Sequence, residues 1–180
     1  VRTAFVRLEM EGLVQREPHR GTKVRLVSDG EALEILVVRT VLEGLAARLA
    51  AERIEPADAQ RLEAAAARHR EFVERGDILA SAGANADLHA LIREIARQPT
   101  ATRLIELLNS QTTRFQYRTA LIAGRPRASA AEHDAIVAAI VAGEPDEAER
   151  AMRTHLSNVG AALRQSPRQG ERRVHAGAGE

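Results

Sequence analysis

From Ser28 to Leu163 the chain keeps one hydrophobic period, and it is the period of a helix. Apolar residues recur three and four positions apart, which puts them on one face of a 3.6-residue turn. The stretch "GEALEILVVRTVLEGLAARLAAERI" predicts a long helix from about Glu31 to Ile54, with Ser28 as a plausible N-cap, and "EPADAQRLEAAAARHREFVERGD" restarts one after Pro56. Further helices are expected over about Ala80 to Ala96, Ala101 to Ile122, Ser129 to Ala142 and Pro145 to Leu163. Breaks fall at Gln98-Pro99, Gly124-Arg125-Pro126 and Gly143-Glu144-Pro145. Six helices with short connections make an all-α antiparallel bundle. Only 2% of the residues are aromatic while 44% are hydrophobic, so the core is Ala, Leu, Val and Ile, which favours close helix packing.

With no cysteine the chain has no disulfide and no thiolate metal site, as suits a reducing compartment. No run reaches the length of a membrane span and no charged-then-apolar leader is visible, so the expectation is a cytoplasmic protein with no membrane partner. A length of 180 residues accommodates one domain of ordinary size plus a fragment. The division expected is a partial DNA-binding unit over 1–28, a helical domain over 29–164, and a tail over 165–180. The tail, "QSPRQGERRVHAGAGE", lacks apolar periodicity and is expected to be disordered.

The opening segment has a different character. Val1, Phe5, Leu8 and Leu13 predict a helix that Gly12 ends. Leu13 to Arg16 and Thr22 to Leu26 are short β-like runs flanking Pro18-His19-Arg20-Gly21, the chemistry of a hairpin turn. Six basic residues face three acidic ones between Val1 and Ser28. A helix followed at once by a hairpin with a basic tip is how a winged helix-turn-helix ends: the helix enters the major groove and the wing lies along the backbone. A basic amphipathic helix alone would equally describe a solvated surface.

The residues "VRTAFVRLEMEGLVQREPHRGTKV" add to this, because they resemble the end of the DNA-binding domain of GntR-family bacterial regulators. In that family a segment of the type VREAL-x-RLE-x-EGLV precedes a wing of the type R-x-P-N-R-G. Here Phe5 replaces the usual leucine and His19 the usual asparagine. The resemblance implies DNA contacts from Arg2 and Arg7 on the helix and from His19, Arg20, Gly21 and Lys23 at the wing. It also implies that the first part of the domain, a strand-like segment and two helices, is missing from this sequence.

Three of the six histidines have a spacing with consequences. His133 and His155 each lie 11 residues from Glu144 in the Gly143-Glu144-Pro145 turn. At ~1.5 Å rise per residue both imidazoles lie about 16 Å from the turn, level on antiparallel neighbours. Helices ~8 to 10 Å apart can then present both rings to one ion. Asn85 and His89, four apart, share a face of an earlier helix. Any one of these histidines, taken singly, reads as an ordinary core-edge residue.

The helical region from about Asp29 to Leu163 resembles the FCD ligand-binding domain of the FadR branch of GntR regulators. The resemblance is carried by "VRTVLEGLAARLAA", "NADLHALIREIARQP" and "SAAEHDAIVAAIVAGEPDEAERAMRTHL". It implies a divalent metal held by Asn85, His89, His133 and His155, with His19, His69 and His175 outside the set. Asn85 stands where the family carries a carboxylate or an amide, and an amide oxygen is the weaker ligand. Imidazole-rich coordination suits Zn²⁺ or Ni²⁺ better than Mg²⁺, with Mn²⁺ also open. Arg39 and Arg118 lie at positions resembling the family's effector pocket, and a guanidinium grips a carboxylate through two parallel hydrogen bonds.

The function expected is a ligand-responsive transcription regulator: a homodimer that binds DNA, a divalent metal and a small carboxylate effector, organic acid or sugar acid. The alternative is a metal-dependent hydrolase built on three histidines, with Glu132 or Asp134 as general base. A di-iron carboxylate bundle would need Glu-x-x-His pairs, and the sequence has none.

Overall fold

The computed structural model describes residues 2–17 and 21–166. His19, Arg20 and His175 lie outside these, as does the expected disordered tail beyond Ser166. Helix α1 (Arg2–Met10) leads into the hairpin β1 (Val14–Glu17) and β2 (Gly21–Val24). The strands pair antiparallel, Val14 against Val24 and Glu17 against Gly21. Six helices follow: α2 (Asp29–Arg53), α3 (Pro56–Arg75), α4 (Ile78–Ala96), α5 (Pro99–Ala120), α6 (Arg125–Val141) and α7 (Pro145–Gln165).

The boundaries follow local chemistry. Ser28 caps α2 by accepting the Glu31 amide at 3.1 Å, and Asp77 caps α4 by accepting that of Ala80 at 3.0 Å. A proline occupies the first turn of α3, α5, α6 and α7, where a missing N–H costs nothing. That is why α6 begins at Arg125, four residues before the expected Ser129: Pro126 opens the helix, after Gly124 in the left-handed conformation, instead of breaking it. Gly12 has φ 70°, a left-handed conformation that L side chains rarely adopt, so the turn that ends α1 favours glycine.

The core runs along α2, which buries Ala46, Ala47, Ala50 and Ala51 at a small-residue face against α7. Nearer the start of α2, Gly160 of α7 makes room for Leu36, which a Cβ there would meet at 3.1 Å. Leu88 and Ile92 from α4, Ile136 and Ile140 from α6, and Met152 and Leu156 from α7 fill the rest. Each such side chain contributes about 1.5–3 kcal/mol of burial. Among the described residues no helix is long and apolar enough to cross a membrane. The opposite face of α2 is apolar yet open to solvent: Val37, Val38, Val41 and Leu45 are all exposed at helical spacing.

Helix α5 joins the bundle to the opening segment. Gln111 donates to the Glu11 carbonyl at 2.7 Å, Arg114 donates to the Val27 carbonyl, and Arg118 forks onto both oxygens of Asp29 at 3.0 and 3.1 Å.

Candidate metal and effector site

Four buried imidazoles meet where α3, α4, α6 and α7 converge. His133 lies at the centre, its ring centroid 4.5 Å from that of His155, 5.2 Å from His89 and 4.9 Å from His69. Ring nitrogens of His89, His133 and His155 all fall within 4.8 Å of one another, so these three could hold one metal ion. Asn85, one turn before His89, is half-buried and lines the adjoining cavity.

Each ring is fixed by what its second nitrogen touches. His89 Nδ1 donates to Glu43 at 2.7 Å, and His155 Nδ1 donates to Glu132 at 2.7 Å, which leaves both Nε2 lone pairs free. His133 has no carboxylate. Its Nδ1 lies 3.3 Å from Nδ1 of His69, and its Nε2 lies 3.3 Å from Nε2 of His89. Two proton arrangements satisfy this geometry. In one, His69 donates to His133, which donates through Nε2 to His89. In the other, His133 donates through Nδ1 to His69, and the Nε2 atoms of His89 and His133 face each other bare. Two facing lone pairs repel unless a cation lies between them, so the second arrangement fits a metal.

Metal-ligating imidazoles must be neutral, and for His133 and His155 burial favours that form. Burial, aided by the charges of His155 and His89, pushes His133 well below the ordinary histidine range. Burial likewise lowers His155 to about 4 although Glu132 opposes it, and burial lowers His69. The carboxylates remain ionised. Burial would raise Glu43, but the charges of Arg39 and His89 and their hydrogen bonds hold it well below the usual carboxylate range. Against its own burial, Glu132 is pulled to about 2 by hydrogen bonds from His155, Arg125 and Asn158.

Beside the imidazoles lies a cavity of about 360 Å³, walled by α2, α4, α5, α6 and α7 with His69 of α3. Its lining is hydroxyl- and amide-rich, with Ser81, Asn109, Thr112 and Gln116, and it includes Arg39, Arg93 and Arg125. No Asp or Glu side chain is among the lining residues. Arg39 also holds Glu43, at 2.5 and 3.1 Å, and Arg125 forks onto Glu132 at 2.7 and 3.1 Å.

The comparisons with known proteins agree with this architecture. Residues 34–158 match the FCD domain family. The chain is 31% identical over 159 residues to the probable D-xylose utilization operon transcriptional repressor of Paenarthrobacter nicotinovorans, covering 87% of this chain and 69% of the relative. This chain belongs to the GntR family of transcription regulators and carries an FCD domain. It is also 29% identical over 165 residues to the HTH-type transcriptional repressor RspR of Escherichia coli, covering 92% of this chain and 72% of that protein. The solved structure of McbR/YncC from E. coli shares the fold of the FCD chain at a TM-score of 0.82 and 21% identity, over 93% of this chain and 84% of that one. The two sequence relatives are named as transcriptional repressors. The hydrolase alternative also lacks its base: Glu132 is held by Arg125, His155 and Asn158, and Asp134 is turned to Arg70 at 2.7 Å.

The remaining expected residues of the FCD chain divide by position. Arg39 lines the cavity. Arg118 is not among the lining residues: its Nη1 donates to both oxygens of Asp29 and its Nη2 to the Leu163 carbonyl, tying the start of α2 to the end of α7, while its buried Nε has no partner among the described residues. In this arrangement Arg118 clamps α2 to α7 from outside the cavity lining. His69, expected to lie outside the metal-binding set, is not one of the three grouped imidazoles but packs tilted against His133, ring centroids 4.9 Å apart. In the opening segment Arg7 is exposed beside Glu11, Gly21 and Lys23 are exposed on β2, and Arg2 opens α1. Sequence reasoning missed Glu43, His69, Arg93 and Arg125. Glu43, four residues after Arg39, was visible only as a helix-surface partner, and nothing in the spacing of the others marks them.

Proposed function

We propose that the chain is a ligand-responsive transcription regulator whose FCD domain holds one divalent metal and a small carboxylate effector. His89, His133 and His155 hold the metal through Nε2, with Asn85 at its edge. Zn²⁺ or Ni²⁺ suits three imidazoles best, with Mn²⁺ the third choice. The metal supplies a Lewis-acidic anchor for an anion. The cavity lined by arginines and free of carboxylates supports an acidic effector, and its hydroxyl- and amide-rich wall supports a hydroxylated one.

The observation that carries the ligand-responsive reading is the double role of α5. Asn109, Thr112, Phe115 and Gln116 line the cavity, while Gln111, Arg114 and Arg118 of the same helix grip the opening segment and the start of α2. A ligand that changes the seat of α5 changes the seat of α1 and its hairpin. In this reading α1 reads the major groove and the hairpin follows the phosphates, with Arg2, Arg7, His19, Arg20, Gly21 and Lys23 as the contacts. The exposed stripe of Val37, Val38, Val41 and Leu45 supports a homodimer through α2, since an apolar helix face of this kind is seldom left in water. The protein acts in the cytoplasm, where its operator is.

The experiment is metal analysis of tag-free protein, followed by thermal shift with carboxylic acids before and after chelation. One metal per chain and acid-induced stabilisation that chelation abolishes are expected. Stabilisation of equal size in chelated protein refutes the shared metal and effector site. DNA binding by a version extended upstream, with a steep loss of affinity on added salt, tests the reading of the opening segment.

A further inference from the structure

Three arginines line the cavity, and only two of them have carboxylates of their own. Arg93 is the exception. Its Nε and Nη1 are buried and have no hydrogen-bond partner among the described residues. It follows His89 by four residues and Asn85 by eight, on the same stripe of α4. Side chains of a helix lean toward its N-terminus, so the Arg93 guanidinium reaches back toward His89 and the cavity it lines.

Buried guanidinium nitrogens with unmade hydrogen bonds are costly, and among the described residues no carboxylate pairs with these, including Glu106, which shares the outer groove with Arg93. Glu94, the next residue, is taken by Arg61 at 2.9 Å. Glu43 and Glu132 each already serve an arginine and a histidine. With a metal on the imidazoles, a monocarboxylate effector would answer the metal and leave Arg93 bare.

We propose that Arg93 is a second anion subsite, and that the effector is a small dianion with two acid groups. One group meets the imidazole-held metal and the other is gripped by Arg93. This rests on the metal and carboxylate reading above and narrows it. The volume of about 360 Å³ limits the ligand to a short chain, and the hydroxyl-bearing residues Ser81 and Thr112 suit hydroxyl groups between the acids.

The test uses the metal-loaded chain and calorimetric titration with linear dicarboxylates from malonate to adipate, each against the monocarboxylate of equal length. At least one dicarboxylate is expected to bind about tenfold or more tightly than its counterpart, the scale of a hydrogen bond to a charged group. Arg93→Met removes that advantage while monocarboxylate binding persists, and Arg93→Lys, which keeps the charge but not the fork, retains part of it. The ligand-free Arg93→Met protein melts no lower than the parent, because an uncompensated charge has been removed. Arg93 also borders an outer groove that Glu94, Arg97, Arg103 and Glu106 line with it, so Arg103→Ser is the control and leaves the advantage intact.

The inference is overturned if no dicarboxylate exceeds its counterpart, if Arg93→Met keeps the gap or lowers the melting temperature, or if Arg103→Ser abolishes it. Monocarboxylates that bind only with metal, and dicarboxylates that bind no better, overturn the second subsite alone. Acids that bind equally after chelation, or not at all, overturn the underlying reading and the subsite with it.

Discussion

Replacing Glu43 by glutamine changes one atom and tests how the site is held. Glu43 is 1% exposed and accepts three hydrogen bonds, two from Arg39 and one from His89. The amide is the same size, so no cavity opens, but it has one acceptor oxygen where two were in use. If that oxygen faces Arg39, the amide NH₂ confronts the Nδ1–H of His89; if it faces His89, the NH₂ confronts a guanidinium. Either way a buried arginine, only 11% exposed at its side chain, loses its counter-charge. Breaking a buried pair by removing one partner costs about 3–5 kcal/mol. The isosteric change and the partly exposed arginine place this case at about 3 kcal/mol. The same change frees the His89 ring to rotate or switch tautomer, which lowers metal affinity by about 10- to 100-fold. Urea denaturation of the chelated protein reads the first effect, and competition with a chromogenic chelator reads the second. A variant that loses under 1 kcal/mol refutes the energetic argument. One that keeps parental metal affinity shows that Glu43 does not orient His89.

Other outcomes follow from the same geometry. His69→Leu removes the acceptor for His133 Nδ1 and is expected to weaken metal binding about tenfold while the fold is kept; unchanged affinity in chelator competition counts against its orienting role. Arg118→Ala is expected to cost about 1 kcal/mol in denaturant melts, given the partly exposed Asp29, and to leave the stabilisation by carboxylates unchanged; a lost carboxylate response would restore Arg118 to the effector site. In chelated protein His155 titrates at about 4 folded against an ordinary value near 6.5 unfolded, so the unfolded chain takes up the proton first and stability falls as pH drops from about 6.5 to about 4. His133, also lowered, adds to the fall, and a stability flat over that window, measured by denaturant melts, contradicts the burial of neutral rings. Ile136→Ala, at a fully buried position beside His133, is expected to cost about 2–5 kcal/mol by urea melts; a loss under 1 kcal/mol would show that the site relaxes freely.

The bundle was legible because its signals are local. Helical period, prolines in first turns and the cap at Ser28 each act within a few residues, and each marked an element to within a turn. The one displaced boundary, at Arg125, came from taking Pro126 as a breaker when its position made it a starter. Part of the site was legible for the same reason. Eleven residues on either side of Glu144 fix two rings level across a turn, and their centroids lie 4.5 Å apart. What stayed hidden depends on angles between helices that no spacing encodes. His69 on α3 reaches His133 across 64 positions of sequence, and Glu43 on α2 reaches His89 across 46. The clamp that Arg118 makes stayed hidden because its partner, Asp29, is 89 residues away.

The joint between cavity and opening segment shows why the responsive part of the molecule is α5 and not the core. Helix α2 buries nine residues and α7 buries seven, so neither moves without opening the packed face between them. Beyond Ile105, α5 is anchored by only Thr112 and Phe115. That same half carries the cavity wall and the contacts to Glu11, Val27 and Asp29. Few buried contacts and many polar ones mark a segment of low local stability, the kind from which switching elements are drawn. The contacts set the size of the signal as well. Each hydrogen bond contributes about 1 kcal/mol net, so a ligand that holds or releases this set couples to the opening segment with about 1–3 kcal/mol, which is the usual range for communication between sites. A coupling of that size changes DNA affinity about 5- to 150-fold, and it does so without requiring the alanine-packed core to move.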